Sequence, residues 1–243
     1  DLIIEVGPGI GALTVSLAQK AGKVIAIEID KRLIPVLEET TGGFGNIELI
    51  NADVMKVDIS RLISGWTGNV KVISNLPYYV TTPVIMMFLE GGFEIERMVL
   101  MVQKEVARRM TARPKTKDYG ALTVGVQAAG IPKILFDVSR NCFIPKPDVD
   151  SAVIRVMMTD DRKKNILDYG LFHECVKAAF LQRRKTLVNS LGNSPALNLD
   201  KETVKGLLAE MNLREQTRGE ELSVDQFIQL SNLIVGKSGR GAT

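Results

Sequence analysis

The chain has 243 residues, 45% apolar and 24% charged, with a formal net charge of +3. That length accommodates one large domain and a small one, and the apolar share is ordinary for a globular fold. No apolar run approaches the ~20 residues a membrane helix needs; Cys142 and Cys175, widely spaced, give neither a disulfide framework nor a zinc site; and a lone histidine, His173, excludes a multi-histidine metal centre and argues against a histidine-based triad.

The first predicted element is a strand, Leu2–Val6, which runs into Gly7-Pro8-Gly9-Ile10-Gly11 and a helix over Ala12–Ala21. Glycines at such a turn let the backbone approach a ligand closely, so Gly7 and Gly9 are candidate cofactor contacts. A second strand, Val24–Glu28, ends in an acid about 20 residues on, the spacing of a nucleotide-binding βαβ unit whose acid holds ribose hydroxyls. Gly7-x-Gly9-x-x-Ala12 also loosely fits the dinucleotide fingerprint. Glu5 argues against that ligand, because a carboxylate at the strand end beside the loop repels a pyrophosphate and attracts an ammonium or sulfonium centre. S-adenosylmethionine carries both cations and no phosphate. A solvated strand end is the alternative for Glu5.

A third strand, Ile47–Ile50, leads into Asn51-Ala52-Asp53-Val54. Asp53 at that position can accept a hydrogen bond from an adenine amino group, with Val54 beside it; a turn or helix N-cap is the plainer reading. The fourth strand, Val70–Ser74, is followed by Asn75-Leu76-Pro77-Tyr78-Tyr79. Pro77 ends the strand and stiffens the loop. Asn75 Oδ1 and the Leu76 or Pro77 carbonyl can accept the two hydrogens of an exocyclic amine, and Tyr78 can stack on its ring. The alternative is a strand-to-helix turn with aromatic filler. Thr82-Pro83 then reads as a helix start, threonine as N-cap and proline at the first helical position.

A fifth strand, Met98–Val102, precedes a stretch from Lys104 to Lys117 that holds six basic residues and one acid. Ile131–Val138 and Ala152–Met157 read as two closing strands in an antiparallel hairpin at the sheet edge. Between them Phe143, at a proline-flanked turn, could cover the second face of a stacked base; a core aromatic is the alternative. Asp160-Asp161-Arg162-Lys163-Lys164 reads as a charged linker, and residues 167–235 as three or four helices broken at Gly192, Pro195 and Gly219. The tail from Gly236 is expected to be disordered. Arg183-Arg184-Lys185 forms a second basic cluster. Both clusters fit a phosphate backbone, and both could equally be solvated helix faces.

The motifs together resemble the ribosomal RNA adenine N6-dimethyltransferase family, in its bacterial small-subunit branch. They are Glu5-Val-Gly-Pro-Gly-Ile-Gly11, Asn75-Leu-Pro-Tyr-Tyr79, Gln103-Lys-Glu-Val-Ala-Arg-Arg109, Phe143-Ile-Pro-Lys-Pro-Asp-Val-Asp-Ser151, Gln182-Arg-Arg-Lys-Thr-Leu187 and Gly219-Glu-Glu-Leu-Ser-Val224. The last two distinguish this branch from the antibiotic-resistance methylases of large-subunit rRNA. The resemblance implies a Rossmann-like S-adenosylmethionine methyltransferase fold over residues 1–160 and a small all-helical RNA-recognition domain over 161–243. It implies methyl transfer to N6 of two adjacent adenosines near the 3′ end of small-subunit rRNA, in an immature 30S-type particle, by a cytoplasmic monomer needing no metal and no membrane. Carried onto this chain, Asn75, Leu76, Pro77, Tyr78 and Phe143 are catalytic. Glu5, Gly7, Gly9, Glu28, Asp53, Val54 and Asn75 hold the cofactor. Arg108, Arg109, Arg113, Lys115, Arg183, Arg184 and Lys185 contact RNA. Relatives carry a Gln-Asn-Phe-Leu type segment ahead of the first strand that closes over the cofactor; this chain opens inside that strand and is expected to be a shortened version. Two other classes stay open: an S-adenosylmethionine enzyme acting on DNA or protein amides, and a non-catalytic RNA-binding assembly factor.

Overall fold

A computed structural model describes residues 1–238, and the chain divides into two compact units, Asp1–Ala107 with Ile131–Met158, and Arg108–Gly130 with the chain from Thr159 onward. The first unit is built on β1 (Leu2–Val6), β2 (Lys23–Glu28), β3 (Ile47–Asn51), β4 (Val70–Asn75), β5 (Arg97–Gln103), β6 (Gly130–Val138) and β7 (Ser151–Met158). They form one sheet in the order β3-β2-β1-β4-β5-β7-β6. The first five strands pair in parallel, and β7 runs antiparallel to β5. Parallel strands are covered on both faces and so need continuous apolar runs; all five residues of β1 are buried, and Ile4, Ile25, Val72 and Met98 have no exposed surface. The helices α1 (Ala12–Ala18), α2 (Ile34–Thr41), α3 (Ile59–Ile63) and α4 (Thr81–Glu90) lie between the strands in sequence.

Strand order reverses between β1 and β4, and in open α/β sheets that switch point is where ligands bind. The β1–β4 ladder pairs Leu2–Ile4 with Val70–Val72. Beyond it the Ser74 hydroxyl bridges the two strands, accepting from the Val6 N–H at 2.7 Å and donating to the Val6 carbonyl at 2.6 Å.

The second unit comprises the later part of α5 (Lys104–Met110), α6 (Ala121–Ala129), α7 (Asp160–Lys163), α8 (Tyr169–Leu181), α9 (Leu187–Gly192), α10 (Lys201–Glu210) and α11 (Val224–Ser238). Its core includes Tyr119, Val124, Phe172, Leu207 and Phe227. The Phe180 ring lies 5.9 Å from that of Tyr119 and 5.7 Å from that of Phe227, and the Tyr119 hydroxyl donates to the Leu222 carbonyl at 2.7 Å.

Several boundaries differ from the expectation. The first helix stops at Ala18 rather than Ala21, because the Lys20 and Ala21 N–H groups both turn back to the Leu17 carbonyl. Helix α4 starts at Thr81 with Val80 as N-cap, so Pro83 is its third residue; its missing N–H is among those a helix leaves unpaired anyway. The charged linker is a short helix, α7, capped by Thr159 with acids in its first turn and bases in its last, the order its dipole favours. Helix α11 runs to Ser238, so residues 236–238 are helical, and the rest of the expected disordered tail lies outside the described residues. A single division at residue 160 leaves Arg108–Gly130 with the sheet, whereas Tyr119, Val124 and Ala128 are buried in the helical unit's core. Among the described residues no helix is long and apolar enough to cross a membrane.

Candidate functional site

The loop after β1 turns on glycines with positive φ, Gly7 at 69° and Gly9 at 61°, a region any side chain strains to occupy. A Cβ on Gly7 would stand 3.2 Å from the Pro77 ring, so the glycine loop and the loop after β4 touch; beside Gly9 the space is open. Glu5 departs from a solvated strand end. It is 1% exposed, and its Oε2 has no hydrogen-bond partner. Burial pushes its pKa up to about 7, against a smaller downward pull from the Thr14 hydroxyl, whose Oγ1 makes no hydrogen bond of normal geometry.

Glu28 closes β2 and is also buried. Its carboxylate accepts from the Gly9 N–H at 3.3 Å and the Asp30 N–H at 2.8 Å, tying the second strand's end to the glycine loop. The Glu28 carbonyl accepts from Asn51 Nδ2 at 2.8 Å and from the Ala52 N–H at 3.0 Å, which holds the end of β3 alongside. Asp53 has the plainer arrangement too: its Oδ1 accepts from the Met55 N–H at 3.0 Å and caps a 3-10 turn that opens at the buried Val54.

The second loop forms an open cleft of about 330 Å³ lined by Gly7, Asn75, Leu76, Pro77, Tyr78, Phe143, Pro145 and Pro147. All five expected catalytic residues therefore meet in one place. Asn75 is the last residue of β4 and is exposed; Leu76 anchors the loop, buried to 1% exposure, with its N–H donating to the Met101 carbonyl at 3.1 Å. The Tyr78 hydroxyl and Ser151 Oγ are hydrogen bonded at 2.9 Å, which fixes the ring. Across the cleft the Phe143 segment is pinned by Arg140, whose N–H donates to Asp150 Oδ1 at 3.0 Å and whose guanidinium donates to the Asp148 carbonyl at 2.9 Å. Sequence reasoning missed Ser74, Asn51, Ser151 and Arg140, which position the others. Ser74 leaves a signal, a polar residue ending an apolar strand directly before Asn75, and Asn51 and Ser151 stand at the ends of stretches already singled out, though with no role that adjacent residues reveal.

The seven expected RNA contacts all belong to the second unit. The fold joins the two basic clusters. The Arg183 guanidinium donates to the carbonyls of Thr116 and Lys117 and pairs with Glu220 at 3.0 Å; the Lys115 N–H donates to the Glu220 carbonyl at 2.7 Å. Arg183 is thus bound within its own chain, while Arg108, Arg113, Lys115, Arg184 and Lys185 are exposed and Arg109 is half-buried. Among the described residues no group of three or more histidines, cysteines or acids could hold a metal.

The chain matches a family model described as ribosomal RNA adenine dimethylase over residues 1–234. It is 50% identical over 239 residues to the ribosomal RNA small subunit methyltransferase A of Alkaliphilus oremlandii, covering 98% of this chain and 83% of that protein. It is 49% identical over 236 residues to the protein of the same description from Clostridioides difficile, covering 96% and 81%. Among solved structures it is similar to a dimethyladenosine transferase from Plasmodium falciparum, with a TM-score of 0.81, 25% identity and coverage of 98% and 91%. It is also similar to the 23S rRNA methyltransferase ErmE, with a TM-score of 0.65, 26% identity and coverage of 96% and 90%.

Proposed function

The chain belongs to the ribosomal RNA adenine dimethylase family, and from that premise we propose that it transfers methyl groups from S-adenosylmethionine to N6 of two adjacent adenosines near the 3′ end of small-subunit rRNA, leaving N6,N6-dimethyladenosine. The observation that carries this reading is the cleft in which Asn75, Tyr78 and Phe143 converge beside the glycine loop. The small-subunit target is supported by relatives described as small-subunit enzymes at 50% and 49% identity. The helical unit serves as the RNA-recognition domain, and the physiological substrate is an immature 30S-type particle met by a monomer in the cytoplasm.

The first unit suits the methyl donor. Glu5 offers a buried carboxyl oxygen without a partner, and nothing stands within 4 Å of where a Cβ on Gly9 would be. Glu5 would hold the cationic end, with Gly7 and Gly9 against the ligand. Glu28 retains lone pairs for ribose hydroxyls, and Asp53 Oδ2 with the Val54 backbone would meet the adenine. When bound, S-adenosylmethionine supplies an electrophilic methyl on a sulfonium centre.

The chain's own work is to make a poor nucleophile react. The N6 lone pair of adenine is delocalised into the ring. Asn75 Oδ1 accepts one amino hydrogen. The Pro77 carbonyl already accepts from the Val80 N–H at 3.2 Å and from Thr81 Oγ1 at 3.0 Å, so the Leu76 carbonyl takes the other hydrogen. Two fixed acceptors hold the nitrogen in position, draw it toward tetrahedral geometry and stabilise the positive charge that develops there. Asn75, being neutral, does this without taking up a proton. Tyr78 and Phe143 sandwich the ring, which must leave its own stack to enter. Because the cleft is open, an N6 already bearing one methyl can also enter.

The test is labelled methyl transfer to unmethylated small ribosomal subunits, with the modified nucleosides mapped. Asn75→Ala should lower turnover by on the order of a hundredfold, the size of effect seen when a charge-stabilising group is removed, while S-adenosylmethionine still binds. Turnover near the parental rate would remove Asn75 from the acceptor role.

A further inference from the structure

Three side chains at the border of the cleft are not accounted for by the reaction at N6. Tyr79 follows Tyr78 in the turn before α4 and is 76% exposed; Ile144 stands between Phe143 and Pro145 with its whole side chain in water, at 101% exposure. Lys146 stands between Pro145 and Pro147, is exposed, and has no ion pair among the described residues. Each is bonded in sequence to residues that line the cleft, so its Cα is about 3.8 Å from a lining residue's. The backbone beside each is tied to the rest of the unit. Tyr78 is fixed through Ser151, the 140–150 segment is held by Arg140, and prolines on both sides restrict Lys146. Single exposed apolar residues are common; an exposed aromatic ring, a branched aliphatic and an unpaired cation, each next in sequence to a residue lining one cleft, bring a definite chemistry to its border.

We infer that Tyr79, Ile144 and Lys146 form a second nucleotide subsite, which receives the nucleotide adjoining the target adenosine. The inference rests on the reading of the cleft as the target-base pocket. A base that flips into the cleft leaves its neighbour with one face bare and leaves a gap in the stack. Tyr79 stacks on the bared face, an interaction that any base can make. Ile144 fills the gap as an apolar wedge, the device by which proteins hold unstacked steps open. Lys146 pairs with the phosphate that joins the two nucleotides, a contact that sets register without reading sequence. Stacking uses the base face and leaves its N6 edge alone, so the subsite accepts the neighbouring adenosine before or after its own methylation.

The test compares Tyr79→Ala, Tyr79→Phe, Ile144→Ala and Lys146→Gln with the parent on unmethylated small subunits. It also follows the fluorescence of an rRNA 3′-end hairpin carrying 2-aminopurine next to the target position, bound at low salt. Tyr79→Ala should lose about ten- to a hundredfold in kcat/KM, the worth of one base–aromatic stack. Tyr79→Phe should restore it, and S-adenosylmethionine affinity should be unchanged in both. The 2-aminopurine should be quenched by the parent and by Tyr79→Phe and bright with Tyr79→Ala; Ile144→Ala and Lys146→Gln should raise KM. Methylation by the parent with undiminished kcat/KM and quenching in Tyr79→Ala overturns the subsite and leaves the pocket reading standing. Absence of methylation by the parent overturns both.

Discussion

Glu5 is the residue whose chemistry the fold changes most. Burial holds its pKa at about 7 where an ordinary glutamate would have 4.5. The folded chain therefore keeps a proton that the unfolded chain gives up. The sign follows: between about pH 4.5 and 7 the native state binds more protons, so this group's contribution to stability falls as pH rises through that window and is lost above it. Glu5→Gln should be more stable than the parent at pH 8, by up to ~3 kcal/mol, and equal to it near pH 4; chemical denaturation at both pH values measures this. If the ionised form holds the cationic end of the methyl donor, apparent affinity scales with the ionised fraction. Calorimetry should then show parental affinity about tenfold weaker at pH 6 than at pH 8, and a flat profile in Glu5→Gln. A parental profile as flat as the variant's would remove Glu5 from the cofactor contacts. Nothing in the sequence reveals this protonation, since a strand-end acid and a buried one are spelled alike.

At the scale of elements, the loop between α5 and α6 is shaped by a side chain from the turn that follows α8. Arg183 binds two of its carbonyls and Glu220, and Lys115 in that loop takes a positive φ of 67°, uncommon for a residue with a Cβ. Two roles follow within one basic tripeptide. Replacing Arg184 and Lys185 with alanine should weaken binding to rRNA and reduce the log–log salt slope by roughly 0.7–0.9 for each phosphate left without its cation. Arg183→Ala should instead loosen the loop, lowering affinity with a smaller change of slope and a lower melting temperature. Binding titrations at several salt concentrations separate the cases; an unchanged slope in the double variant would make that surface merely solvated. The strands, by contrast, were legible element by element. Seven runs became seven strands with ends shifted by a residue or so; β1 and β2, buried almost throughout, must be apolar along their length, whereas β5 alternates buried and half-buried residues and β6 is largely exposed.

At the scale of the whole molecule, the base pocket is confined to the first unit and the exposed basic residues assigned to RNA to the second. A net charge of +3 is too mild for binding by bulk attraction, so affinity must come from placed contacts. On the proposed reading the cleft takes an adenine and at most stacks on its neighbour, and the phosphate contacts would position a folded RNA without reading it. A short hairpin that fills the pocket but reaches few of the basic residues forgoes most of that binding. Immature small subunits should therefore be methylated with much higher catalytic efficiency than an isolated hairpin of the same target sequence at matched salt. Equal efficiency in direct competition would sink the idea that the basic surface selects the substrate.

Motif chemistry and strand pattern were determined by the sequence alone. The glycine loop, Glu28 and Asn75-Leu76-Pro77-Tyr78 follow apolar runs whose lengths and turn residues obey local rules, and local rules are written in adjacent residues. What tertiary structure decided lies across long separations. Ser74 bridges to Val6 over 68 residues and Tyr78 to Ser151 over 73, and Arg183 reaches back 67 residues to Thr116. Helix α6 is buried with helices that follow it by some forty residues or more, which is why a charge run at residue 160 did not reveal the grouping of Arg108–Gly130. Whether a carboxylate is solvated or buried, an arginine free or bound, a carbonyl available or already taken depends on which distant segment packs beside it, and no local pattern carries that information.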